Sequence, residues 1–162
     1  VSEEIKTKTY RIVSSERIEL GWFVGSSKMT LKIPIVWEER YTDVLGAQAD
    51  LIVKPDANTT GARLYMNGSK VSELLWAFGE VEAEKSITRD VIGRLRNGEN
   101  IFEIECFKTN PTGFPPVGFT VSSNVVITYT GLEPQVRPLT DYIVAGVAAV
   151  GAILFLLWRM RG

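Results

Sequence analysis

Apolar and polar residues alternate along most of this chain. The clearest run is Met29, Leu31, Ile33, Ile35 and Trp37, with Thr30, Lys32 and Pro34 between them. A period of two puts one face in a core and the other in solvent, so the run predicts a strand. Pro34 has no N–H to donate, which places that strand at a sheet edge or a bulge. Residues 5–12 are β-prone, and Ile18, Leu20 and Trp22 alternate with polar neighbours. Gly21 and Gly25 flank Trp22-Phe23-Val24. Further short strands are predicted at 49–53, 63–66, 102–106 and 125–129. Asn67-Gly68 is the strongest hairpin-turn signal, and Asn97-Gly98 marks a second tight turn. Residues 88–95 predict one or two helical turns with Thr88 as N-cap. Residues 109–118 hold three prolines and two glycines and predict a loop. About eight short strands separated by turn signals predict an all-β chain folded as an antiparallel β-sandwich. Periodicity alone leaves jelly-roll and immunoglobulin-like strand orders open.

The pattern changes completely near the C-terminus. Residues 143–158 carry no charge and are apolar on every face, whereas a core helix keeps a polar stripe. At 1.5 Å per residue the segment covers about 25 Å, and snorkelling with slight bilayer thinning closes the gap to a hydrocarbon core. Tyr142 and Trp158 bracket it as interfacial rings, and Arg159 and Arg161 follow. The expected organisation is therefore a β-sandwich over residues 1–131, a proline-containing linker over 132–141, a transmembrane helix over 142–158 and a cytoplasmic tail over 159–162. Positive charge after the span predicts a cytoplasmic C-terminus and an extracytoplasmic domain, in a cell membrane or a viral envelope. The start at Val1 fits a cleaved signal peptide or a trimmed chain.

Composition narrows the chemistry. The 162 residues include no histidine, which removes Ser-His-Asp and Cys-His mechanisms and every histidine-ligated metal site. The single cysteine, Cys106, excludes an internal disulfide, and its phase with Phe102 and Ile104 predicts a buried thiol. A net charge of −1 gives no sign of a nucleic-acid partner. No cofactor and no metal site is expected.

One stretch carries a resemblance. Ala62 to Val71 with its Asn67-Gly68 turn, then Phe78, then the segment from Ser86 through Thr88 to Leu95, then Asn97-Gly98-Glu99-Asn100-Ile101-Phe102 follow one another in an order similar to the galactose-binding-like jelly roll, including sugar-binding domains of glycoside hydrolases. The resemblance covers about a third of the chain and implies a jelly-roll order. Its motifs are turns and core, so it carries no catalytic residues. Many members of that family hold a structural calcium ion. Here Glu38, Glu39 and Asp43 form the one acidic cluster near at hand, without convincing ligand spacing.

Candidate chemistry is sparse. Glu80, Glu82 and Glu84 alternate with Val81 and Ala83, as Glu103 and Glu105 do with their neighbours, and such alternation reads as the wet face of a strand rather than a catalytic pair. Sugars stack on exposed rings, so Trp22, Trp76 and Phe114 are the candidate ligand-binding residues. Trp37 is in phase with the core, and Trp22 and Trp76 lie in apolar runs that also suit a core. Asn58 and Asn67 satisfy the N-glycosylation pattern. In the span, Ala145, Gly146, Ala149, Gly151 and Ala152 offer a small-residue surface for helix packing. The expectation is a non-enzymatic, single-pass protein acting in assembly. Its partners would be membrane lipid and either other membrane subunits or its own copies. The alternative is an anchored carbohydrate-binding or adhesion module.

Overall fold

The protein is described here by a computed structural model covering residues 4–110 and 115–136. The chain forms nine strands: β1 (Lys6–Leu20), β2 (Ser26–Val36), β3 (Thr42–Pro55), β4 (Thr60–Met66), β5 (Ser69–Trp76), β6 (Lys85–Asp90), β7 (Gly98–Lys108), β8 (Val117–Gly131) and β9 (Gln135–Val136). They make two antiparallel sheets, ordered β1-β8-β3-β6 and β5-β4-β7-β2-β9. Pairing is nested: β4 with β5, β3 with β6, β2 with β7 and β1 with β8. A long antiparallel strip folded over on itself gives this order, which is the jelly roll rather than the immunoglobulin arrangement.

The period-two pattern explains the packing. Ala47, Ala49, Leu51 and Val53 of β3 face Ala62, Leu64 and Met66 of β4 across a core shared with Phe102, Ile104 and Cys106 of β7. Burial pushes the Cys106 thiol up to about 12, so it stays protonated and inert. Asn67 and Gly68 both take positive φ, at 51° and 87°, as the tight turn between β4 and β5 demands. The strand holding Pro34 is the outermost of its sheet except where Ile35 and Val36 meet β9.

Several expectations change. The segment expected to be helical is β6 followed by a single 3₁₀ turn at Ile92–Arg94 with no side-chain cap. Its residues pair with β3 from Gln48 to Val53, and sheet pairing outweighs a weak local helical tendency. Glu80 to Glu84 are a loop, not a strand: Gly79 turns at φ 80°, and Ala83 takes the Trp76 indole N–H instead of a sheet partner. The two segments expected at 5–12 and 18–22 are one strand, β1, bent by two register shifts. Residues 132–136 belong to the fold rather than to a linker. Pro134 is buried and accepts the Tyr10 hydroxyl, and burial beside Glu133 raises the pKa of that phenol. The segment expected to span a membrane, with Ala145, Gly146, Ala149, Gly151 and Ala152, Tyr142, Trp158, Arg159 and Arg161, lies outside the described residues, as does Phe114. Among the described residues no helix is long and apolar enough to cross a membrane.

Candidate functional site

Strand direction sorts the connections into two groups. Residues 21–25, 56–59 and 77–84 cross between the sheets at one end, where Leu20 pairs with Val117, Ser26 with Phe107, and Thr60 with both Trp76 and Lys108. Residues 37–41, 67–68 and 91–97 turn at the other end, where β9 begins beside Val36 and runs back along the edge of β2.

The first end is the candidate site. Hydrogen bonds tie its segments together. Asn58 donates to the Glu80 carbonyl at 3.1 Å, the Thr109 N–H to Thr59 at 2.8 Å, and the Lys108 ammonium to the Gly21 carbonyl at 2.8 Å. Upon this frame stand apolar side chains: Trp22 is 60% exposed, Phe23 71% and Phe78 92%. Val24 and Val81 are exposed beside them. Phe23 holds φ at 64°, a left-handed conformation that costs a bulky L-residue about 1–2 kcal/mol. Beneath the Trp22 turn a cleft of about 440 Å³ is lined by Arg17, Glu19, Leu20, Asp56 and Val117. Arg17 pairs with Asp56 there, and that hydrogen bond raises the pKa of the guanidinium.

The sequence candidates separate. Trp22 is exposed on the turn, correcting the core reading. Trp76 is 1% exposed, with its N–H donated to the Ala83 carbonyl at 2.7 Å, so it offers no face to a ligand. In β5 the core face is Leu74 and Trp76 while Leu75 points out, and adjacent apolar residues hid that phase from the sequence. Trp37 is half-buried against the core, and its backbone exchanges two hydrogen bonds with the Asn97 side chain. Sequence reading did not single out Phe23, Phe78, Arg17 or Asp56. The available signal was an apolar triplet enclosed by two glycines, a turn composition rather than a strand composition.

Both glycosylation candidates have engaged amides. Asn58 is bonded to Glu80, and Asn67 donates to the Arg94 carbonyl at 2.6 Å and to Asn100 at 3.1 Å. Glu73, Glu80, Glu103 and Glu105 are held in ion pairs. Arg63 bridges Glu73 at 2.6 Å and Glu105 at 3.0 Å on the outer face of the five-stranded sheet, and its hydrogen bond holds Glu73 below the usual carboxylate range. Lys85 does the same for Glu80. A glycosidase needs one carboxyl shifted upward as an acid, and these two move the other way. Among the described residues no group of three acidic or thiol side chains could hold a metal ion.

No protein-family model and no curated protein matches the sequence. Solved structures do match in shape. A chain from a structure of infectious bursal disease virus, Gx strain, aligns over 78% of this protein and 32% of its own length, with a TM-score of 0.52 and 12% identity. A chain of the infectious bursal disease virus VP2 subviral particle aligns over 83% and 39%, with a TM-score of 0.51 and 8% identity. A family 35 carbohydrate-binding module from an environmental isolate gives 0.45 at 10% identity, over 81% of this chain and 99% of its own. The protein thus spans about a third of the two viral chains, and what it shares with them is the jelly-roll fold.

Proposed function

We propose that this protein is a non-enzymatic, single-pass membrane protein that displays its jelly roll outside a cell membrane or viral envelope and acts in assembly. The observation that carries this reading is the uncharged, wholly apolar stretch at 143–158, which only residues 137–142 separate from β9. The fold it shares with a chain of a subviral particle supports a structural rather than a chemical role. Within the span, small residues let helices approach closely, so Gly146 and Gly151 form the contact with a second copy or another subunit.

Cross-linking in mild detergent tests this. The wild type is expected to cross-link to itself or to a co-purifying subunit, and Gly146→Leu with Gly151→Leu to abolish the product. A monomeric wild type would overturn the assembly role. External protease should remove the domain from intact cells or envelopes, and protection would reverse the orientation.

The second reading, an anchored carbohydrate-binding module, draws on the exposure of Trp22 on the turn above the Arg17–Asp56 cleft, where polar groups suit hydroxyls. Glycan-array binding lost on Trp22→Ala would favour it.

A further inference from the structure

The edges of the two sheets are not finished alike. Strand β1 bends through two register shifts, β5 carries one, and β6 has only 6 residues. Strand β2 pairs with β7 from Ser26 to Ile35 without a shift, and its other side meets β9 only at Ile35 and Val36. Cover follows the same division. Ser72, Leu74 and Trp76 on the inward row of β5 are buried, as is Ile35 where β9 lies alongside. Met29, Leu31 and Ile33 continue the inward row of β2 past β9 and are only partly buried.

The direction of the backbone groups follows from their partners. Trp37 exchanges both of its groups with Asn97, just before β7, and the Gly25 carbonyl accepts the Lys108 N–H of β7 at 2.8 Å. Odd-numbered positions thus turn N–H and C=O toward β7, and even-numbered ones turn theirs outward. Ser26, Lys28, Thr30 and Lys32 present both groups at the edge, where no strand among the described residues pairs with them. Pro34 lies on that same side and lacks only an outward N–H, so the strand accepts it. Edge lysines ordinarily keep a second strand away. Here Lys28 reaches Glu103 at 3.4 Å and Lys32 reaches Glu99 at 3.9 Å, both on β7 and away from the open side.

We infer that β2 pairs with β2 of a second copy, antiparallel across a two-fold axis at Met29. In this register Lys28 opposes Thr30 of the other copy and Ser26 opposes Lys32, so no lysine meets a lysine and every outward position used has its N–H. An axis at Thr30 would oppose Lys28 to Lys32, and one at Leu31 would oppose Lys28 to Pro34. On the inward row Met29 adjoins Met29 and Leu31 adjoins Ser27, so each copy covers what the other leaves open. Such a pair is isologous and closes as a dimer. It rests on the sandwich and not on the reading of 143–158 as a span.

Residues opposed at the axis form a non-hydrogen-bonded pair with Cα atoms about 4.5 Å apart, a separation that a disulfide spans. The full chain in mild detergent, carrying Met29→Cys or Leu31→Cys beside the buried Cys106, is mildly oxidised and run on a non-reducing gel. M29C is expected to link as a dimer, and L31C, which faces Ser27, to link about tenfold less. Adding Thr30→Pro to M29C removes one outward N–H per copy, as Pro34 already does, and should lower linking about tenfold or more. The comparison of M29C with L31C needs no proline and decides the proposal even if T30P disturbs the fold. Linking of M29C should persist with G146L/G151L, which separates this contact from one made through the span. Linking lost with those leucines, M29C linking no better than L31C, or M29C left unlinked would each overturn the proposal. An unlinked M29C would leave the edge to a strand of another protein or to residues beyond Val136.

Discussion

The two ends of the sandwich solve opposite problems. At the end of the Asn67-Gly68 turn, polar side chains lock the connections. Asn100 is fully buried and uses its whole amide, accepting from the Arg96 N–H at 2.8 Å and from Asn67 at 3.1 Å while donating to the carbonyls of Arg96 and Gly98. Asn67 accepts the Ile101 N–H at 2.8 Å, and Asn97 clasps Trp37. Gly131 turns there at φ 86°, where any Cβ would strike the Tyr41 carbonyl. At the other end the frame is bonded too, but its outermost side chains are apolar and face water. Stability is invested at the end of the Asn67-Gly68 turn, and exposed apolar surface is left at the end of the Trp22 turn.

Substitutions can break or sharpen this contrast. The largest effect is expected for Asn100→Ala, which strands several buried partners at once and should cost about 3 kcal/mol in denaturant unfolding. A loss comparable to that of a surface mutation would show the lock to be ornamental. Phe23→Gly should act in the other direction, raising stability by about 1 kcal/mol as the left-handed residue relaxes. A fall in its thermal midpoint would mean that the ring supports the fold and is not simply displayed. Trp22→Ser with Phe78→Ser should leave stability within about 0.5 kcal/mol of wild type, as exposed positions do. A clear loss would make these two rings part of the packing. The smallest effect belongs to the face between the ends. Arg63 depresses Glu73 below its usual 4.5, so the pair contributes above that pH and its contribution fades as pH falls through the lowered value. Both side chains are partly exposed, so the acid-sensitive part removed by Glu73→Gln should be at most about 1 kcal/mol.

Local chemistry made half of this structure readable. Asn67-Gly68 announced its hairpin because few other pairs accept two positive φ values, and Met29 to Trp37 announced a strand because its polar positions are unambiguous. Failure came where local and long-range preferences compete. Residues 88–95 have capping chemistry, yet β3 offers a pairing surface that no local window contains. Glu80 to Glu84 alternate like a strand, but the buried Trp76 indole claims the Ala83 carbonyl. The candidate site suffered most, because Trp22 and Trp76 have similar neighbours in sequence. What separates them is that one lies at a turn tip and the other on the inward side of β5. Strand order was beyond periodicity, since it depends on partners far apart in the chain.

The nested pairing also constrains when the domain can fold during synthesis. The pair β4–β5 needs only a two-residue turn, whereas Lys6 of β1 waits for Tyr129 of β8. Closing that outermost pair requires nearly the whole domain to have emerged, and such distant contacts are slow to form. Little more than ten residues separate Gly131 from the uncharged stretch at 143–158. The final zipping of β1 onto β8 therefore coincides with the synthesis of that stretch. Until then the β8 edge is open, and a chain stalled at this point carries an unpaired strand that a neighbouring copy could fill.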